Sequence, residues 1–345
     1  MPKTFNHLWE SVIDWDNLLF SYMQARKGKR YSEEVLRFTE QLEENLINIQ
    51  NHLIWKSWQP GQWREFWVTD PKMRLIQAPP FKDRVVHHAV VGVTEPLFER
   101  KMIFDSYACR IDKGTHGATD RLQAMLRKAA RNWGKVYVLK ADISKYFPSI
   151  NHDALLRILA RTIKDKNALW LYEQIIKGCG YEHRGLPVGA LSSQLLANVY
   201  LGQLDHKAKD NWGVKFYVRY MDDFVILGPS KDYLWNLLYD IEEFLAIELY
   251  LSLNPKTAIY PTNKGIDFAG YRTWKTHKLP RKRNVKRVKC NFCKLATRYY
   301  NWEIDLDYIR PRVMSFLGYV KHCSAHRSTK SVLRNLLLTR SRESR

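Results

Sequence analysis

Phe216-Tyr217-Val218-Arg219-Tyr220-Met221-Asp222-Asp223-Phe224-Val225-Ile226-Leu227 sets two adjacent carboxylates between two apolar runs. The runs read as the strands of a hairpin with Asp222 and Asp223 at its tip. Aspartate is a common turn residue, so a plain polar tip is one reading. Against it, Asp-Asp is poor hairpin chemistry compared with Asn-Gly. Neighbouring carboxylates at a strand end also resist staying together unless a cation neutralises them. Val136 to Ile143 reads as a second buried strand, and it carries Asp142. If the two strands are neighbours, three carboxylates converge as hard oxygen donors suited to Mg²⁺. Two such ions can activate a hydroxyl and stabilise a leaving pyrophosphate.

Around this centre, helical and extended signals alternate. Residues 1–60 read as helical, with Leu36, Leu42, Leu46, Ile49 and Leu53 at helix-like spacing. Residues 62–78 read as a hairpin turning at Asp70-Pro71, with Lys72 and Arg74 on its return side. Helices are expected over 81–101 and from Gly114 to Ala130. Phe147-Pro148 breaks the chain after the Asp142 strand, and Asn151 can cap the next helix. Gly185 to Gly189 is a loop, and Leu191 to Leu204 a helix of small and apolar residues. A helix from Tyr233 to Leu245 follows the hairpin, then strands near Leu249 to Leu253 and Phe268 to Trp274.

Charge narrows the partner. Lys+Arg 56 against Asp+Glu 35 gives +21 at pH 7. Such an excess attracts a polyanion, nucleic acid first, although a merely soluble basic protein or an anionic lipid partner fits the same number. From Arg281 to Arg298 there are eight Lys/Arg and no acid, followed by Tyr299, Tyr300 and Trp302. That pattern suits a grip on a duplex backbone, or else a solvated helix face. No apolar run approaches the ~20 residues needed to span a bilayer. Five cysteines suggest free thiols and a reducing, cytoplasmic setting. Cys290 and Cys293, with His322, Cys323 and His326, make a zinc site conceivable, but cysteines three apart on a helix arise easily. His87 and His88 read as packing or hydrogen-bonding residues.

Tyr220 to Asp223, as YMDD, resembles the palm signature of reverse transcriptases. The resemblance runs in order through PKMRLI (71–76), FKDRVVHHAV (81–90), SYACRIDKGTH (106–116), LKADISKYFPSINH (139–152), GLPVGALSSQLLANVYLGQLD (185–205), YVRYMDDFVILG (217–228), LSLNPKT (251–257) and FAGYRTW (268–274). It implies an α+β fold of the right-hand polymerase type, with fingers, a palm with an antiparallel sheet, and a helical thumb. The expected division is an N-terminal helical extension over 1–60, fingers and palm over 61–275, and a basic helical thumb over 276–345.

The family's roles carry over by position. Asp142 and Asp222 match the bridging ligands of two Mg²⁺ ions, for which Mn²⁺ can substitute. Asp223 is the third carboxylate, and the Ile143 carbonyl completes a shell. Phe147 matches the gate that rejects a ribose 2′-hydroxyl; its plainer reading is a core ring beside Pro148. Lys72 and Arg74 match the residues that hold the triphosphate, as an arginine fork suits phosphate. Ser144, Lys145 and Tyr146 lie where the backbone approaches the nucleotide, and Lys256 resembles the acid offered to pyrophosphate. Val188, Gly189 and Gln194 border the same pocket. Gly270 and Tyr271 resemble the primer grip. Arg281, Lys282, Arg283, Lys286 and Arg287 open the thumb.

Within the family, Val188-Gly189-Ala190-Leu191-Ser192-Ser193-Gln194 is informative. Intron-encoded bacterial enzymes typically carry Gln-Gly and Ser-Pro here. An aliphatic residue before Gly, and Ser-Gln, resemble the reverse transcriptases of diversity-generating retroelements. SYACRIDKGTH and the ending without a maturase or endonuclease domain point the same way. That subfamily copies a template-repeat RNA into adenine-mutagenised cDNA for mutagenic retrohoming. Its implied partners are template RNA, the cDNA/RNA duplex, dNTPs and a small basic, helical, pentameric accessory protein. A retron, intron-derived or phage-defence enzyme is the alternative, and a catalytically dead RNA-binding palm the remote one.

Overall fold

The computed structural model describes residues 4–69, 73–179 and 183–340. In chain order the elements are α1 (Trp9–Ile13), α2 (Trp15–Ala25), α3 (Glu33–Glu40), α4 (Leu42–Ile54), β1 (Arg64–Val68), β2 (Arg74–Ala78), α5 (Phe81–Glu99), α6 (Thr115–Trp133), β3 (Tyr137–Asp142) and α7 (Tyr146–Ser149). Then come α8 (His152–Ala160), α9 (Lys166–Lys177), α10 (Leu191–His206), β4 (Tyr217–Tyr220), β5 (Asp223–Gly228), α11 (Lys231–Leu249) and β6 (Ala258–Pro261). The last are β7 (Ile266–Phe268), β8 (Tyr271–Thr273), β9 (Lys278–Pro280), α12 (Lys282–Tyr300), α13 (Leu306–Lys321) and α14 (His326–Leu333).

The chain divides into two compact units. The first comprises Met1–Arg110, Asp142–Val214 and Tyr239–Pro255. It is mainly helical. Phe81, Val85, Val86, Ala89 and Val90 of α5 are buried, and α5 packs on α2 and α10. Leu196, Ala197, Tyr200 and Leu201 of α10 have no exposed surface. A helix apolar on every side belongs in a core, which explains why its sequence lacks an amphipathic rhythm. Short polar side chains start the helices. The Asn151 carboxamide accepts from Ala154 N at 2.9 Å, as expected for an N-cap. Asp165 accepts from Asn167 N and Ala168 N at the head of α9, and from Leu8 N and Trp9 N at the head of α1. Burial alone would raise its pKa, but these four donors outweigh it and hold the carboxyl below its usual value.

The second unit comprises Ile111–Ala141, Lys215–Leu238 and Lys256–Arg345. Its main sheet has the order β4-β5-β3-β6. β4 pairs antiparallel with β5, and β3 with β6. A three-stranded antiparallel sheet follows, β7-β8-β9. Helices α12 to α14 close over their own core of Phe292, Leu295, Ile309, Phe316, Val320 and Val332. Among the described residues, no helix is long and apolar enough to cross a membrane.

Two expectations change. The helix expected from Tyr233 to Leu245 extends over Lys231–Leu249, and the stretch expected as a strand near Leu249 to Leu253 keeps only an isolated bridge, Ile143 to Leu253. The regular strand lies further on, in β6. Helix α9 is an element the sequence reading did not mark.

Candidate active site

In the second unit, register defines the tip of the carboxylate hairpin. Tyr220 pairs with Asp223, so the loop is Met221-Asp222, and Asp223 is already the first residue of β5. This corrects the expectation that both aspartates form the tip. A two-residue loop needs backbone with positive φ, usually from Asn or Gly. Here Met221 supplies it, at φ 57°. A left-handed conformation costs such a side chain about 1–2 kcal/mol, and strain of this kind collects at working sites. Arg219 braces the turn: its side chain is wholly buried, and Nη1 donates to the Met221 carbonyl at 2.8 Å.

Lys140 Nζ lies 3.5 Å from Asp223 Oδ1. Lys140 and Asp142 are two residues apart on β3, so their side chains leave the same face of the strand. On β6, burial first and the Asp267 carboxylate next push the Tyr260 phenol up to about 12, so it remains protonated. Neither Arg219 nor Lys140 featured in the site read from sequence. The signal available was a basic residue inside an otherwise apolar strand, in each case.

In the first unit, Asp142 is tied to Asn254 twice. Asn254 N donates to the Asp142 carbonyl at 2.7 Å, and Asn254 Nδ2 to Oδ2 at 3.4 Å. The Ser144 amide donates to the Ser252 carbonyl, so this donor is committed within the fold. Lys145 takes φ 44° and turns the chain into α7. Tyr146 is buried, with its hydroxyl donating to the Ala197 carbonyl at 2.5 Å. Its side chain therefore anchors α7 to α10. Phe147 is half-buried, edge-on to Tyr146, with ring centroids 5.7 Å apart. A half-covered ring keeps a surface for a ligand, as a gate requires.

Arg74, the first residue of β2, is exposed. Lys72 lies outside the described residues. The loop before α10 rests on β2, where Gln77 N donates to the Val188 carbonyl at 3.2 Å. Gly189 has φ +133°, and a Cβ there would stand 3.0 Å from the Gln77 carbonyl oxygen. Only glycine suits that approach. Gln194 is exposed on the first turn of α10, and Lys256 is exposed in the second unit.

Gly270 forms the β7–β8 turn at φ +92°, and its carbonyl accepts from the Tyr319 hydroxyl at 2.6 Å. Tyr271 is fully buried, and its hydroxyl donates to the Tyr319 carbonyl at 2.8 Å. Its side chain holds the hairpin to α13 from inside. Arg281 caps α12 and lies 3.7 Å from Asp267. Lys282, Arg283 and Lys286 are exposed and Arg287 half-buried. Arg287, Lys294, Arg298 and Arg312 line a groove of about 770 Å³ above Phe292 and Phe316. Cys290 and Cys293 are free and exposed on α12.

Among the described residues, no group of three or more His, Cys, Asp or Glu stands gathered as an ion-holding cluster. Within the second unit the donor chemistry itself suits a hard divalent cation: Asp222 in the hairpin loop and Asp223 opening β5 are adjacent carboxylates. Lys140 supplies part of the neutralisation that Asp223 needs.

Comparison with known proteins identifies the lineage. The chain is 26% identical to Protein YkfC of Escherichia coli (strain K12), over 65% of this chain and 70% of that protein. It is 27% identical to the group II intron-encoded protein LtrA of Lactococcus lactis subsp. cremoris, over 59% of this chain but only 35% of LtrA. Its fold resembles apo telomerase from Candida Tropicalis, with a TM-score of 0.54 at 13% identity, over 81% of this chain and 57% of that one. That likeness bears out the right-hand polymerase fold, with its mix of helices and antiparallel sheet. The model of the family described as reverse transcriptase (RNA-dependent DNA polymerase) matches residues 69–273, more than half of the sequence, and the chain belongs to that family.

Proposed function

We propose that this chain extends a DNA primer on an RNA template, with Asp142, Asp222 and Asp223 as its metal-binding carboxylates. The observation that carries this reading is the hairpin of the second unit, which presents Asp222 in a two-residue loop beside Asp223, with Lys140 3.5 Å from the Asp223 carboxylate. Two Mg²⁺ ions bound there would supply charge stabilisation for the attacking 3′-hydroxyl and the departing pyrophosphate. The chain's own residues do the positioning. Asn254 fixes the Asp142 carboxylate, and the Ile143 carbonyl follows it. Arg74, with Lys72, would draw in the triphosphate. The Phe147 ring would exclude a ribose 2′-hydroxyl, favouring dNTPs. Lys256 would offer a proton to pyrophosphate. Gly270 and the basic α12, from Arg281 through Arg287, would hold the cDNA/RNA duplex. In this reading residues 1–60 form an N-terminal extension, 61–275 the fingers and palm, and 276–345 the thumb.

Within the family we assign the chain to the diversity-generating retroelements, copying a template-repeat RNA with errors at adenines, in company with a small basic pentameric protein. Support comes from Val188 and from Ser193-Gln194, where intron-encoded enzymes typically carry Gln and Ser-Pro. A glutamine at position 188 could hydrogen-bond the nascent pair or its sugar. Valine offers no such bond, and one hydrogen bond is worth about 0.5–1.5 kcal/mol, or roughly up to tenfold in selectivity. The similarity to LtrA supports an intron-derived enzyme as the second reading. Sequencing cDNA made on a template of mixed composition separates them. Wild type should misincorporate opposite adenine, and Val188→Gln should lower that rate several-fold. Uniform fidelity in the wild type, with and without an added accessory protein, would favour the intron-derived reading.

A further inference from the structure

We infer that Arg219 is a positioning residue for the carboxylate loop: from inside the sheet, its guanidinium fixes the Met221 carbonyl and so sets how Asp222 leaves the turn. This rests on the reading of Asp222 as a metal ligand. Three observations meet here. Arg219 heads the largest fully buried side chains, with 0% of its surface exposed. A guanidinium is retained at such depth only where hydrogen bonds compensate its lost hydration. One of those bonds runs from Nη1 to the Met221 carbonyl at 2.8 Å. Finally, Met221 holds φ 57° in a loop that register limits to Met221-Asp222.

The chemistry makes the residues interdependent. An asparagine in this loop could steady a left-handed backbone through its own side chain, and a glycine would adopt it without strain. Methionine can do neither, so the conformation needs support from elsewhere. The Met221 carbonyl belongs to the peptide that joins Met221 to Asp222. Rotating that peptide would turn the Asp222 backbone, and with it the carboxylate. A planar guanidinium donates in fixed directions, whereas a lysine ammonium is a point charge on a flexible stem. The two carboxylates therefore have separate supports. Lys140 faces the Asp223 side chain, and Arg219 holds the backbone that presents Asp222.

A coupling experiment tests this, using Mn²⁺ as the probe ion. Binding is read by electron paramagnetic resonance on the full chain without nucleotide, and single-turnover dNTP incorporation is read in parallel. Arg219→Met should weaken Mn²⁺ binding about tenfold and slow incorporation at saturating dNTP, while RNA–DNA duplex binding holds within twofold. Adding Met221→Gly, which relieves the left-handed strain, should recover at least threefold of the lost Mn²⁺ affinity. A purely structural role in the core predicts no such recovery. If Arg219→Met fails to melt cooperatively, the same cycle with Arg219→Lys decides. The inference is overturned if the folded Arg219 variant binds Mn²⁺ like the wild type, or if Met221→Gly restores nothing. Asp222→Ala, run alongside, separates this failure from the other. If it leaves Mn²⁺ binding intact, the ligand reading itself is wrong.

Discussion

At the residue scale, the site depends on a few side chains whose surroundings fix their charge. Asp222→Ala removes a carboxylate without touching the basic surface of α12. Incorporation should fall by at least about a thousandfold, in keeping with the several kcal/mol that metal-centred charge stabilisation contributes. RNA binding, measured by filter retention, should stay within twofold. Retained synthesis would contradict the assignment. His87 shows how a residue outside the chemistry sets the working pH range. It is fully buried, with Nδ1 3.0 Å from the Ser192 hydroxyl. Burial, then the neighbouring His88, pushes its pKa down to about 3. An unfolded chain takes up that proton near 6.5, and the folded one does not. The stability from a neutral His87 is therefore complete above about pH 6.5 and drains away as the pH falls toward 3. At pH 5 the loss is about 2 kcal/mol. Buried Asp83, whose carboxyl is raised mainly by burial, works in the opposite direction at the lower end of that window. Urea unfolding at pH 7 and pH 5 should show the wild type losing about 2 kcal/mol more than His87→Gln. Equal losses would remove His87 from the account.

At the element scale, the loop before α10 and strand β2 act as one surface because Gly189 lets them touch. Gly189→Ala places a methyl group against the Gln77 carbonyl and the Ile76 side chain, at a φ that alanine resists. The loop must lift away from β2. A loss of about 1–3 kcal/mol in folding stability is expected, from strain plus overpacking. The KM for dNTP should also rise in steady-state assays, while the affinity for primer–template is unchanged. An unaltered KM in a destabilised variant would show that the loop does not border the nucleotide. The same contact marks what a sequence can and cannot disclose. The apolar runs around Asp222, the cap at Asn151 and the basic length of α12 were legible, because each is a local pattern with a local cause. Helix α9, though unmarked, was legible in the same way, with Asp165 as its cap and Ala168, Leu171, Tyr172, Ile175 and Ile176 buried at helical spacing. The burial of Tyr271 has no local sign in the sequence. A tyrosine's fate depends on what packs beside it, and Tyr319 lies 48 residues further on. The end of α11 moved four residues because tertiary burial of Leu249 outweighed its strand-like neighbours.

At the scale of the whole molecule, the charge of +21 sets the conditions under which any of this chemistry can run. Each phosphate neutralised by Lys or Arg releases condensed counterions, so log K should fall linearly with log salt, with a slope of about −0.9 per contact on a duplex. A chain making six to ten such contacts would lose roughly 10³ to 10⁵ in affinity between 50 and 200 mM salt. The slope can be apportioned by element. Lys286 and Lys289 are exposed on α12, which carries no acid. If that helix follows the backbone of an RNA–DNA duplex, Lys286→Ala with Lys289→Ala should flatten the slope by about 1 to 2 and weaken binding similarly for every sequence. Fluorescence anisotropy across a salt series reads both quantities. A parallel shift with the slope intact would mean the two lysines act through folding of α12. No shift at all would take α12 off the path of the duplex. The excess charge would then belong to another surface.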